Sequence, residues 1–170
     1  MILLEGRPGS GKTTAARRLI EALRTEGATL TGFLTEEIRE RGRRVGFAIE
    51  AIDGKRGTLA HVDLPGPPKV GKYGVDLDAF EEIALPAVRP PRRGGVAVVD
   101  ELGKMELASE AFRNAFSELA DSEVPLVATV QLASHPFTDA LKRRADVIRV
   151  TPGNRDELPA ELAQRLLDAR

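Results

Sequence analysis

The feature that most restricts the fold of this chain is a glycine-rich segment between a short apolar run and an amphipathic stretch. Residues 6–13 read Gly-Arg-Pro-Gly-Ser-Gly-Lys-Thr and fit the pattern G-x-x-x-x-G-K-[ST]. From the chain's own residue usage, roughly 0.005 matches are expected in a shuffled sequence. The apolar run 2–4 predicts a buried strand, and apolar spacing over residues 13–24 predicts a helix. A strand, a phosphate-binding loop and a helix in this order predict an α/β fold.

The residue types of this loop suit a bound triphosphate. Gly9 and Gly11 allow backbone conformations and close approaches that a Cβ would block. Lys12 provides a point charge for the β- and γ-phosphates, and the Thr13 hydroxyl is a ligand for Mg²⁺. The alternative is an ordinary glycine-rich turn with an exposed lysine. The predicted nucleotide-binding residues are Gly6, Arg7, Pro8, Gly9, Ser10, Gly11, Lys12, Thr13 and Thr14.

Two carboxylates follow the apolar run 96–99, which is typical of a parallel strand covered on both faces. Asp100 is predicted to hold Mg²⁺ together with Thr13, and Glu101 to activate the water that attacks the γ-phosphate. Glu101 and Lys12 are thus the predicted catalytic residues. Successive strand residues point to opposite faces, so both carboxylates are expected to face the phosphates because the strand ends there. The alternative is a solvated turn.

A guanine-specific switch protein is a weaker interpretation of the same region. Residues 100–103 also fit D-x-x-G, but such switches normally add N-K-x-D after a later strand. The chain has Asn154-Arg155-Asp156 instead, without the lysine and the spacing. A hydrolase that uses Glu101 is therefore favoured.

Strands and helices alternate along most of the chain. This alternation predicts a doubly wound, mainly parallel sheet in one domain spanning residues 1–170. A second strand is predicted at 29–37. Strands at 44–52 and 58–62 after turn signals predict an antiparallel meander added to the main sheet. Residues 63–73 are predicted to form an irregular loop. A helix over 79–85 is predicted to be capped by Asp78 and Glu81 and ended by Pro86.

Three further charged residues are weaker candidates for the site. Glu36 closes the second strand, where ligands bind if that strand is parallel to the first, but charges on an exposed strand end are also ordinary. Lys72 lies in a glycine-flanked loop and is either an internal cationic finger for the γ-phosphate or a solvated lysine. Lys104 has the same two interpretations.

Polar residues after the later strands are also candidates. Thr129 or Gln131 is predicted to sense the γ-phosphate, with an ordinary strand residue as the alternative for Thr129. Arg155 is predicted to flank the base or ribose of the nucleotide, with a helix cap as the alternative. His61 and His135 are interpreted as loop residues without a role.

Composition excludes several other classes of site and partner. The chain has no Cys and two His, which excludes disulfides, thiol nucleophiles and multi-histidine metal centres. Its net charge of −1 argues against a protein that coats nucleic acid or an anionic membrane. No apolar stretch approaches the ~20 residues of a spanning helix, and no signal peptide is recognisable. A cytoplasmic location is therefore expected.

Blocks along nearly the whole chain resemble the THEP-type nucleoside-triphosphatases, also called cancer-related NTPases. The resemblance implies Mg²⁺-dependent hydrolysis of ATP, GTP and other nucleoside triphosphates to the diphosphate, with broad base tolerance and slow turnover. It also implies a RecA-like or adenylate-kinase-like core. One departure is Leu102, where the family pattern has Ile. The blocks are residues 6–14, 32–39, 44–47, 70–76, 80–81, 84–86, 100–107 and 154–156.

Two other functions stay open from the sequence. A small-molecule kinase uses the same phosphate loop, but it usually closes an arginine-rich lid, and here Arg89, Arg92 and Arg93 lie among prolines. A non-enzymatic nucleotide-binding or nucleic-acid-associated module is the second, although one Tyr and no Trp leave little for base stacking. The oligomeric state is open, with a monomer as the working expectation.

Overall fold

A mixed sheet of nine strands forms the centre of the molecule in the computed structural model, which describes residues 1–91 and 94–169. The strand order is β5-β6-β4-β3-β2-β7-β8-β1-β9. The strands are β1 (Ile2–Gly6), β2 (Thr29–Glu40), β3 (Arg43–Ala51), β4 (Arg56–His61), β5 (Lys69–Val70), β6 (Tyr73–Val75), β7 (Gly95–Leu102), β8 (Leu126–Gln131) and β9 (Asp146–Arg149).

Four helices connect these strands within the described residues and a fifth follows the last strand, and a 3₁₀ turn, Glu106–Ala108, follows β7. They are α1 (Lys12–Thr25), α2 (Leu77–Ala87), α3 (Glu110–Asp121), α4 (Pro136–Lys142) and α5 (Leu158–Asp168). Over the described part of the chain, none of these helices is long and apolar enough to cross a membrane.

The sheet has a parallel half and an antiparallel half. β2, β7, β8, β1 and β9 pair in parallel, whereas β2–β3, β3–β4, β4–β6 and β5–β6 pair antiparallel. The predicted α/β class, the parallel sheet and the added meander are confirmed. The single domain over residues 1–170 stays a prediction.

Helices cover both faces of the sheet, as the doubly wound prediction requires. On one face, Phe33 of β2 packs against Phe80 and Phe112 of α2 and α3, with ring centroids 5.9 and 5.6 Å apart. On the other face, Leu19 of α1 and Leu162 of α5 pack in a second buried cluster. Each fully buried side chain of this size contributes about 1.5–3 kcal/mol.

Two local predictions are wrong. Asp76, not Asp78, caps α2, because its Oδ1 accepts the hydrogen bond of the Ala79 N–H at 2.9 Å. Glu81 therefore completes no capping box, and its Oε1 accepts from the Ser109 hydroxyl at 2.5 Å. Pro86 lies inside α2, with one more residue, Ala87, before the helix ends.

The loop predicted at residues 63–73 is only partly irregular. β5 pairs with β6 in a short hairpin, with Val70 opposite Tyr73, and β6 joins the sheet through β4. The hairpin is missed from the sequence because its strands have two and three residues and depend on β4 for their pairing. It brings Val70 to the edge where the candidate site lies.

Candidate active site

The phosphate loop joins β1 to α1 at the carboxyl end of β1. Gly9 and Gly11 have φ values of 77° and 101°, in the left-handed region that favours glycine. Gly6 is required for close packing, because a Cβ there would lie 2.4 Å from the Ser10 hydroxyl oxygen. Among the described residues, no side chain caps the N-terminus of α1, and no acidic residue lies in its first turn. The loop therefore presents backbone N–H groups and the positive end of a helix dipole to an anion.

Lys12 and Ser10 turn polar side-chain atoms into this loop. Lys12 is 7% exposed, and its Nζ donates to the carbonyl oxygens of Gly6 and Arg7 at 2.9 and 3.2 Å. The Ser10 Oγ is buried and has no hydrogen-bond partner among the residues that the structure describes. A buried hydroxyl without a partner is costly, and an anionic oxygen in the loop would accept its hydrogen bond.

Asp100 links the phosphate loop to the centre of the sheet. Its Oδ2 accepts from the Thr13 hydroxyl at 2.9 Å, and its Oδ1 accepts from the Thr129 hydroxyl at 2.5 Å. Asp100 is fully buried. Burial first, and then the charge of Glu101, raise the pKa of Asp100 to about 6, against the opposing effects of the two hydroxyls and Lys12.

The donor set around Asp100 fits Mg²⁺, the cofactor that the phosphate loop implies. A carboxylate oxygen and a hydroxyl oxygen lie side by side, and hard oxygen ligands suit this cation. A cation here would also compensate the buried charge of Asp100. Within residues 1–91 and 94–169 no group of three or more His, Cys, Asp or Glu residues could hold a metal. A metal at this point would therefore take its other ligands from phosphates and water, as Mg²⁺ commonly does.

Glu101 lies beside Asp100 near the end of β7. The strand runs through Leu102 and ends directly before Gly103, one residue beyond the acidic pair. Val99 pairs with Ala128 and Leu102 with Val130, so Asp100 and Glu101 lie opposite Thr129 alone. Such a bulge places an extra residue in one strand and redirects its side chains. The Glu101 Oε1 accepts from the Gln131 Nε2 at 3.0 Å.

A second glutamate, which the sequence analysis does not count among the site residues, lies next to Glu101. Glu106 is 4% exposed, and its Oε2 accepts from the Gly103 N–H at 3.1 Å. Burial first, and then the charges of Glu101 and Asp100, raise the pKa of Glu106 to about 8. The sequence signal for it is weak, because position 106 follows the acidic pair in an otherwise ordinary turn.

Glu106→Gln is expected to stabilise the folded chain by an amount that grows with pH. The unfolded chain releases this proton above about pH 4.5, whereas the folded chain retains it up to about pH 8. The wild type therefore loses stability across that interval, and a neutral glutamine does not. We expect a gain of about 2–4 kcal/mol near pH 8 and little gain near pH 4.5. Urea unfolding of both proteins at several pH values measures it, and a gain independent of pH would contradict this expectation.

Glu101 and Glu106 line a common cavity of about 130 Å³. Its wall comes from the turn after β7, from Gln131 of β8 and from the antiparallel half of the sheet. The lining residues are Thr35, Phe47, Val70, Glu101, Gly103, Lys104, Met105, Glu106 and Gln131. Lys104 borders the cavity of Glu101, and its side chain is exposed.

Arg155 lies over the phosphate loop. A Cβ on Gly11 would lie 2.9 Å from its Cδ. Arg155 lines a recess of about 260 Å³ with Gly11, Thr14, Arg18 and Asp156. Arg18 and Asp156 form an exposed ion pair at 2.7 Å across this recess. The predicted contact of Arg155 with the base or ribose stays a prediction.

The remaining candidates make contacts that differ from the predicted roles. The Glu36 carboxylate pairs with Arg17 at 2.7 Å and with Arg56. The hydrogen bond from Arg56 is the interaction that lowers the pKa of Glu36 most. Lys72 lies over the ring of Tyr73, with Nζ 5.5 Å from the centroid. Thr129 donates to Asp100, so it holds the acidic residue in this structure rather than facing the loop directly.

The two histidines, for which no role is predicted, lie at the ends of secondary-structure elements. His135 caps α4 through its Nδ1, which accepts from the Phe137 N–H at 3.1 Å. His61 ends β4. In the arginine cluster considered for a kinase lid, Arg92 and Arg93 lie outside the described residues.

Comparisons with known proteins agree over nearly the whole chain. A family model described as NTPase matches residues 1–163. "Nucleoside-triphosphatase THEP1" of Thermotoga sp. (strain RQ2) is 43% identical over 164 residues, covering 95% of this chain and 92% of that protein. The protein of the same name from Methanosarcina acetivorans is 40% identical over 169 residues, covering 98% and 96%.

Two solved structures have the same fold. The crystal structure of THEP1 from the hyperthermophile Aquifex aeolicus aligns with a TM-score of 0.86 and 35% identity, covering 98% of this chain and 99% of that chain. The solution structure of a human cancer-related nucleoside triphosphatase aligns with a TM-score of 0.85 and 34% identity, covering 99% and 98%.

Proposed function

The chain belongs to the NTPase family and is a nucleoside-triphosphatase, and we propose that it hydrolyses ATP, GTP and other nucleoside triphosphates to the diphosphate and phosphate with Mg²⁺ as cofactor. One observation carries this proposal. Lys12, Asp100 and Glu101 come together where β1, β7 and β8 end side by side. Ligands of parallel sheets bind at this carboxyl edge.

The phosphate loop binds the triphosphate. Its backbone N–H groups and the N-terminus of α1 surround the phosphate oxygens, and the Ser10 hydroxyl donates to one of them. Lys12 exchanges its two carbonyl partners, Gly6 and Arg7, for oxygens of the β- and γ-phosphates. The lysine thus neutralises charge where the bond to the leaving diphosphate breaks.

Thr13 and Asp100 hold the cation. Bound Mg²⁺ would neutralise charge on the β- and γ-phosphates. Thr129 fixes one oxygen of Asp100 through a hydrogen bond of 2.5 Å and leaves the other directed to Thr13. Thr129 is therefore a positioning residue for the cation ligand in this proposal.

Glu101 orients and deprotonates the attacking water. A carboxylate accepts the proton and introduces no positive charge that would compete with the cation. Gln131 holds the Glu101 Oε1 at 3.0 Å, which fixes the direction of the base. In-line attack then gives the diphosphate and inorganic phosphate. Glu36, Lys72 and Lys104 stay predictions, as does a monomeric state.

ATP and GTP are expected to be hydrolysed with kcat/KM values within about tenfold of each other, a difference of roughly 1.4 kcal/mol. Arg155 offers a guanidinium plane beside Thr14, and a planar group stacks on any base. The chain has no N-K-x-D segment to bind guanine. Steady-state rates with ATP, GTP, CTP and UTP measure this tolerance, and a hundredfold preference for one base would contradict it.

Phosphate release without an acceptor tests the reaction itself. The purified chain with Mg·ATP and no added acceptor should produce ADP and inorganic phosphate in equal amounts, as followed by ³¹P NMR. A matched sample with excess EDTA should produce neither. Release that requires an added hydroxyl compound would favour a kinase instead.

A further inference from the structure

The turn after β7 brings a second carboxyl group against the predicted base. Hydrogen bonds from the Leu107 N–H to the Gly103 carbonyl, at 2.9 Å, and from the Gly103 N–H to the Glu106 Oε2, at 3.1 Å, close this turn. Glu106 is thereby turned inward, and its side chain is 4% exposed. The hydrogen bonds of this turn therefore hold the Glu106 carboxyl group in a buried position.

Three polar side chains converge on Gly103. A Cβ at this glycine would lie 2.9 Å from the Glu106 Oε2, 3.1 Å from the Glu101 Oε1 and 3.2 Å from the Gln131 Nε2. The two carboxyl oxygens are thus at most about 6 Å apart, since each lies about 3 Å from the same point. Glycine is the residue that leaves room for this arrangement.

Two carboxyl groups this close cannot both ionise without a large cost when one of them is buried. Glu106 is the more deeply buried, and its pKa is raised to about 8 by burial and by the charges of Glu101 and Asp100. The other charged groups near it are Lys104, which is exposed in the same turn, and Arg113 of α3, which donates to the Leu107 carbonyl. The proton of the pair therefore stays on Glu106.

We propose that Glu106 is a positioning residue for hydrolysis, an uncharged carboxyl that leaves Glu101 the single carboxylate of their shared cavity. This inference rests on the proposed role of Glu101 as the base. A charged Glu106 would repel both Glu101 and the triphosphate, and it would displace the Glu101 carboxylate from Gln131. The uncharged form does not repel the Glu101 carboxylate, and it does not accept the proton of the attacking water.

The test is the pH dependence of kcat at saturating Mg·ATP for three proteins, the wild type, Glu106→Gln and Glu106→Asp. The wild-type rate should fall at alkaline pH as Glu106, whose pKa is raised by its burial, loses its proton. Glu106→Gln carries an uncharged side chain of similar size at every pH and should therefore lack this fall. Glu106→Asp keeps a titratable group and should keep the fall. A role confined to folding would not shift the pH profile.

Each other outcome has one meaning. The inference is overturned if Glu106→Gln keeps the alkaline fall of the wild type, if the wild type shows no such fall, or if Glu106→Gln is as inactive at neutral pH as Glu101→Gln. Retained hydrolysis in Glu101→Gln would instead overturn the proposed base. Thermal unfolding of each variant confirms that the rates compare folded proteins.

Discussion

Glu101→Gln is expected to lower single-turnover hydrolysis by a factor of about 10²–10⁴, while Mg·ATP still binds with near wild-type affinity. Glutamine keeps the shape of the side chain, and its Oε1 still accepts the hydrogen bond of Gln131, which is 3.0 Å long in the wild type. It cannot accept a proton from water. Because this role matters only on the way to the transition state, binding of the ground state should be unaffected.

Paired measurements on one preparation make this expectation decisive. Rapid-quench hydrolysis gives the chemical step, and equilibrium titration with a fluorescent ATP analogue gives the affinity. Asp100→Asn is the matched comparison, since it should weaken Mg²⁺-dependent binding as well as turnover. Lost binding in Glu101→Gln would make Glu101 a cation ligand, and retained turnover would move the role of the base to another residue.

Lys12→Ala should lower kcat/KM by a factor of about 10²–10³, the usual cost of removing one stabilising group from a developing charge. The lysine is buried at the loop and already directs its Nζ inward, toward the carbonyls of Gly6 and Arg7. Alanine removes the charge that the β- and γ-phosphates need. Steady-state kinetics with Mg·ATP measure the loss.

The control for Lys12→Ala is Lys55→Ala. Lys55 is exposed in the turn between β3 and β4, so its removal changes the net charge equally without touching the loop. Wild-type kcat/KM in Lys12→Ala would show that the site lies elsewhere. A comparable loss in both variants would show that overall charge, rather than the loop, controls the rate.

Most of the architecture could be predicted because its signals are local. Local residues identify each of these elements, namely the apolar runs of β1 and β7 and the helical stripe of α1. The resemblance to THEP-type nucleoside-triphosphatases is confirmed by the relatives. The hairpin β5–β6 and the cap at Asp76 were missed, because short strands depend on distant partners and because Asp76 and Asp78 are equivalent by sequence alone.

The site could be predicted only as far as its motif reaches. Residue spacing locates the loop and the acidic pair. In the structure the Thr13 hydroxyl donates to the Asp100 Oδ2 at 2.9 Å. The spacing of residues along the sequence does not reveal which side chains are buried or which residues pair across the sheet. The partners of Asp100 and Glu101 on β8, Thr129 and Gln131, therefore emerge from the strand register, as does the bulge that places the two carboxylates together.

β2 changes partners halfway along its length, and this limits how such a chain can vary in length. Residues 29–33 pair with β7, whereas residues 33–40 pair with β3. Phe33 points into the aromatic core and Thr35, on the same face, borders the cavity of Glu101. One residue inserted or deleted between Phe33 and Thr35 would turn one of these two side chains to the opposite face. Residues added at the turn of Arg41 and Gly42, between β2 and β3, leave both registers in place.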